Sequence, residues 1–133
     1  MNLKVILLIM VLVGFSACKT QKQTIVDPRE NLKSAVTDAI SLLEKEEYKP
    51  FFEKYILPKN LEMVLTMKTM DEIIESFSKK KATRLLDALK LAKEATPKYD
   101  ESGNQATFAK EDIEGLSKTI IFEKVDKYWY IAN

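Results

Sequence analysis

Apolar and polar positions along the chain fall into three regimes. Residues 5–15, "VILLIMVLVGF", are almost unbroken apolar residues. From residue 27 to about 95 the apolar positions recur every three or four residues, which predicts amphipathic helices. Asp27-Pro28-Arg29-Glu30 reads as a helix start, with Asp as cap and Pro in the first turn. Leu32, Val36, Ala39, Ile40 and Leu43 then form one face to about Lys45. Pro50 and Pro58 bracket an aromatic segment, "FFEKYIL", expected as a compact turn, and Asn60 is expected to cap a short helix carrying Leu61, Val64 and Leu65. Thr69 and Glu72 have the spacing of a capping box ahead of Ile73, Ile74 and Phe77. A further helix is expected over 79–95, with Ala82, Leu85, Leu86, Leu89 and Ala92 on one face, ended by Thr96-Pro97.

Beyond Pro97 the period shortens. "PKYDESGNQATFAKE" reads as two short strands about a Ser102-Gly103-Asn104 turn. "KTIIFEKV" and "YWYIAN" are rich in β-branched and aromatic residues around Asp126-Lys127. Trp129 and Ile131 are assigned to one face of the last strand, Tyr128 and Tyr130 to the other. Helices first and strands last make an α+β domain, with N-terminal helices packed on a small C-terminal antiparallel sheet of 3–4 strands.

Charge and composition narrow the function. Of 133 residues, 21 are Lys or Arg and 20 are Asp or Glu, and the net charge is +1. A balanced chain lacks the field that holds a polyanion, so nucleic acid is not expected as a partner. The chain has no histidine, the commonest proton shuttle and metal ligand, and one cysteine, Cys18, which excludes an intrachain disulfide and a Cys-rich zinc site.

The first regime explains that cysteine. A short basic segment, "MNLK", precedes the apolar run, which at about 1.5 Å per residue is too short for a bilayer core of roughly 30 Å. This is the pattern of a secretory signal peptide, residues 1–17. Phe15-Ser16-Ala17-Cys18 resembles the lipobox of bacterial lipoproteins, with Phe15 where leucine is commonest. The resemblance implies that Cys18 becomes the lipid-modified first residue, followed by a tether over 18–26 and a single domain over 27–133. It places the protein in the cell envelope, anchored to a membrane through Cys18. Lys19, in place of an aspartate, favours the periplasmic side of an outer membrane where there is one.

The later part, "YKPFFEKYILP" with the closing "IIFEKVDKYWYI", is similar to small nuclear-transport-factor-like and cystatin-like α+β domains, many of unknown function. In that group the closing hairpin usually carries glycine where Lys127 stands. The resemblance implies helices in the concave side of a curved sheet.

Candidate chemistry is sparse. Met63, Met67 and Met70 are read as core filler rather than a soft-metal site. Lys79, Lys80, Lys81 and Arg84 read as a solvated helix face, with contact to anionic lipid headgroups as the alternative. The acidic clusters at Glu44-Glu46-Glu47, Asp71-Glu72-Glu75 and Glu111-Asp112-Glu114 look like exposed surface. No catalytic residue, metal site or cofactor is assigned. Tyr128 and Tyr130 are the candidate partner surface, on an exposed sheet face. The expected role is a non-enzymatic domain that binds an unknown protein or small ligand. The alternative is an enzyme of the nuclear-transport-factor-like type with a buried carboxylate beside a tyrosine.

Overall fold

The computed structural model describes residues 25–133; Cys18 and the segment before it lie outside these residues. A 3₁₀ turn, Pro28–Glu30, is followed by helices α1 (Leu32–Glu44), α2 (Tyr48–Tyr55), α3 (Pro58–Leu65), α4 (Met70–Ser76) and α5 (Ala82–Lys93). Strands β1 (Lys98–Tyr99), β2 (Gln105–Phe108), β3 (Ile120–Val125) and β4 (Tyr128–Ile131) form one antiparallel meander in chain order. This is the α+β architecture expected from the periodicity.

Local chemistry sets the helix boundaries. Asp27 caps the 3₁₀ turn, its side chain accepting from the Arg29 N–H at 2.9 Å. The backbone is then extended at Asn31, whose side chain accepts from the Ser34 N–H at 3.1 Å and starts α1. The helix expected from Asp27 is therefore two elements, each with its own cap. The capping box at Thr69 and Glu72 is present, with both hydrogen bonds made.

The aromatic segment expected as a turn is helix α2. Pro50 occupies its first turn, where the missing N–H would have had no helical partner. The next helix starts at Pro58 rather than at Asn60. The Asn60 amide instead donates to the carbonyl of Ala132 at 3.1 Å, joining α3 to the end of the sheet.

Between α4 and α5 lies a π turn, Phe77–Lys81, in which the Ala82 N–H donates to the Phe77 carbonyl, five residues back. The buried positions explain it. Ile73 and Phe77 are four apart, Phe77 and Ala82 five apart, and Leu89 and Ala92 three apart. Each helical residue advances about 100°, so a regular helix would turn Lys81 rather than Ala82 toward the core. The wider turn absorbs one residue and keeps Ala82 buried.

The helices cover one face of the sheet. Ala106, Phe108, Ile120, Phe122, Trp129 and Ile131 point to them and join a cluster with Val36, Phe51, Tyr55 and Leu89. Helices α1 and α5 pack against each other, and Ala35 and Ala39 of the first and Ala92 of the second are essentially inaccessible. Phe51 and Phe77 stack with centroids 5.8 Å apart, and Phe52 meets Phe77 edge-on at 4.9 Å. Beyond β4 the sheet gains a single parallel bridge, Ile56 to Ile131, with the Leu57 N–H donating to the Ile131 carbonyl at 3.0 Å. In the β3–β4 turn Asp126 takes the left-handed conformation, φ 55°, which aspartate tolerates. Lys127 has no positive φ, so the turn needs no glycine there.

Leu89 is wholly buried where α5 meets the main cluster. Replacing it with alanine should cost about 2–5 kcal/mol of folding stability. Denaturant unfolding measures this directly, and a loss below about 1 kcal/mol would contradict the packing described.

Candidate functional site

The most distinctive concavity is a cleft of about 390 Å³ where α5 leaves the sheet. One wall comes from the π turn and α5, through Phe77, Lys81, Arg84, Leu85 and Ala88. The other comes from the segment Ser117–Ile120 that leads into β3, and the end of β4 closes the floor with Ile131 and Asn133. Phe77, Ile120 and Ile131 are buried, so the floor is apolar. Asn133 is fixed from both ends of its amide: Oδ1 accepts from the Ile121 N–H at 2.8 Å and Nδ2 donates to the Thr119 carbonyl at 2.7 Å.

Lys81, Arg84 and Lys118 stand exposed around this floor. No aspartate or glutamate side chain lines it. None of the three cations belongs to an ion pair of the described residues. The basic cluster expected as a uniform solvated face is thus divided. Lys79 reaches Glu75 at 3.4 Å on the exposed side, while Lys81 and Arg84 border the cleft. Lys118, far away in sequence, completes the set.

A second polar constellation sits where the chain enters the domain. Asp27 and Arg29 form a two-pronged pair, Nη2 to Oδ2 at 2.8 Å and Nε to Oδ1 at 3.0 Å. The Arg29 hydrogen bonds, opposed by partial desolvation, hold the Asp27 carboxyl down at about 2. The guanidinium carbon lies 4.2 Å from the Tyr128 ring centroid and 5.8 Å from that of Tyr130. Nearby, Asp38 Oδ2 accepts from Lys54 Nζ at 2.6 Å and from the Tyr55 hydroxyl at 2.5 Å. Burial, then the Asp38 hydrogen bond, push the Tyr55 hydroxyl well above the ordinary tyrosine value.

The expected open face at Tyr128 and Tyr130 needs correction. Tyr130 is 9% exposed and Tyr128 is half-buried, because Arg29 covers both rings from the 3₁₀ turn. The two tyrosines do lie on the face opposite Trp129 and Ile131, as alternation requires. Their cover comes from residues about a hundred positions earlier, and no local pattern announces it.

Other expectations divide. The three acidic clusters are exposed throughout. Met63 and Met67 are 59% and 73% exposed, so they do not fill the core, and Met70 is half-buried. With Val64 and Leu65 they leave the end of α3 apolar and open. Among the described residues no group of three His, Cys, Asp or Glu is placed to hold a metal ion. A further cavity, about 340 Å³ between α1, the end of α5 and β1, has Glu94 and Tyr99 in its lining, both exposed. Lys33 and Lys93 share its lining with that glutamate, whereas no aspartate or glutamate lines the cleft.

No protein-family description, no curated protein and no solved structure matches this chain.

Two predictions follow from the constellation at Asp27. A carboxyl depressed to about 2 in the folded state contributes stability that is full above the unfolded aspartate value, about 3.9, and is lost as pH falls toward 2. Arg29→Met should raise the Asp27 titration toward the unfolded value, read by carbon NMR of its carboxyl, and flatten the loss of stability below pH 4. An unchanged Asp27 titration would contradict the pairing. Tyr130→Ser should cost about 2–4 kcal/mol as a buried aromatic truncation, and Tyr128→Ser clearly less. Equal, small effects in thermal unfolding would restore the open-face expectation.

Proposed function

We propose that the protein is a lipid-anchored component of the bacterial cell envelope whose domain, residues 27–133, binds a small ligand or a protein partner without catalysing a reaction on it. The anchor rests on the order of features at the start of the sequence: a basic tip, an apolar run too short to span, two small residues and Cys18. Each buried methylene of an attached acyl chain contributes about 0.8 kcal/mol, so several chains hold firmly where one exchanges. Among the described residues no helix is long and apolar enough to cross a membrane.

The observation that carries the binding role is the cleft at the π turn, an apolar floor bordered by three cations that make no ion pair among the described residues. Sites that hold small ligands are mostly apolar concavities of about 300–1,000 Å³ with a few placed polar groups. A π turn in the wall adds weight, since such turns recur at functional sites.

A catalytic reading has one observation in its favour, the Asp38 carboxylate beside the Tyr55 hydroxyl. Lys54 and Tyr55 both already occupy Oδ2 of that carboxylate, and the Tyr55 ring is fully buried. That arrangement accounts for a structural tie between α1 and α2 without a substrate.

Labelling cells with an alkyne analogue of palmitate tests the anchor. The wild-type chain should take up label and move to the membrane fraction, and Cys18→Ala should do neither. Equal labelling of the two would overturn the lipobox assignment. Native mass spectrometry of the chain recovered from its source membranes tests binding: a co-purifying mass is expected, and a bare chain on repeated gentle preparation contradicts the binding role.

A further inference from the structure

We infer that the cleft at the π turn is a binding site for a single-chain anionic amphiphile, a molecule with one apolar tail and a carboxylate or phosphate head. This rests on the binding role proposed above and names the ligand class for the same site.

Both halves of such a molecule have a counterpart. The tail matches the floor, where the half-buried Leu85 and the small part of Phe77, Ile120 and Ile131 that still faces the cleft would leave water on binding. The head matches Lys81, Arg84 and Lys118, which approach the mouth from two walls. Unpaired lysines occur elsewhere on the surface, so charge alone does not single out this place. What does is the combination. The three other described cavities each bring a carboxylate into their lining, Glu94, Asp38 or Asp87, and none gathers three cations. Here the cations meet over apolar surface with no acidic side chain to neutralise them.

About 390 Å³ is the scale of one acyl chain of modest length. The π turn supplies the geometry of the head site. By absorbing one residue it keeps Ala82 in the core and leaves Lys81 at the mouth, one turn from Arg84. Arg84 can hold a carboxylate or phosphate by two parallel N–H donors, and the lysines add point charges.

Photo-crosslinking in the native membrane fraction tests this on the full chain. The probes are three ten-carbon chains, each with a diazirine near the tail end: a carboxylate, a phosphate monoester and an uncharged alcohol. The carboxylate or the phosphate should label the tryptic peptides that carry Phe77, Leu85 and Ile120, and the one that labels at lower concentration identifies the head. The alcohol should need at least roughly tenfold more probe, the size expected when charge-assisted hydrogen bonds are lost. The triple variant Lys81→Gln, Arg84→Gln, Lys118→Gln should erase that difference while its circular dichroism and Tm stay near wild type, because all three residues are exposed.

If the alcohol labels the cleft as readily as the anions, the anionic class is wrong and the broader binding role stands. If all three probes bypass the cleft and label only the open end of α3 at Met63 and Met67, the inference is overturned. Should the triple variant lose its fold, Arg84→Gln alone provides the same comparison. Equal labelling of that variant and wild type by the charged probes overturns the inference as well.

Discussion

The close approach of α1 and α5 over the sheet is the constraint from which the rest of the structure follows. Interhelical distance is set by side-chain size at the contact, and here alanines occupy it, Ala35 and Ala39 from one helix and Ala92 from the other. With the helices held this near, Leu89 and Val36 reach the sheet, where Phe122 and Ala106 are wholly buried. A larger residue at any of the three alanine positions would have to displace its buried surroundings.

Keeping α5 in this position across a change of helical phase requires the π turn. The sequence "FSKKKA" sets five positions apart two residues that must both be buried. One extra residue rotates everything after it by about 100°, so an unrelieved helix would bury either Lys81 or nothing. The wider hydrogen-bonded turn resolves that conflict locally and leaves α4 and α5 each regular. A feature that first looks like a packing accommodation also determines which lysine borders the apolar floor.

What was legible in the sequence follows from how local its cause was. The Thr69–Glu72 capping box, the Gly103 turn and the β3–β4 hairpin depend on residues a few positions apart, and each is where the sequence places it. The α+β order and the apolar faces of α1 and α5 were equally readable from periodicity. Elements that answer to distant partners were not. Asn60 has the chemistry of a cap and spends it on Ala132. Tyr130 alternates outward and is covered by Arg29. Asp38 follows Thr37 as an ordinary polar position of α1, and only the fold shows that Tyr55 and Lys54 meet it. The cleft draws on residues from 77 to 133, and no window of sequence joins Lys81 to Lys118. The five-residue step from Phe77 to Ala82 was the one readable sign, and three intervening lysines hid it by looking like a solvated face.

The two polar constellations are linked by strand β4. Its first residue, Tyr128, lies beneath Arg29 at the point where the chain enters the domain, and its last, Ile131, forms part of the cleft floor. At about 3.3 Å per residue these points are roughly 10 Å apart. The Asp27–Arg29 pair fixes the entering segment on the back of this strand rather than leaving it to hang from α1. Asp27 lies nine positions after Cys18, a reach of at most about 32 Å when fully extended. On the proposed anchoring, the cleft therefore stays within a few tens of ångströms of the bilayer surface whatever path the tether takes. A single-chain anion is soluble enough to cross that distance and apolar enough to be held at its end, whereas a two-chain lipid would not leave the bilayer.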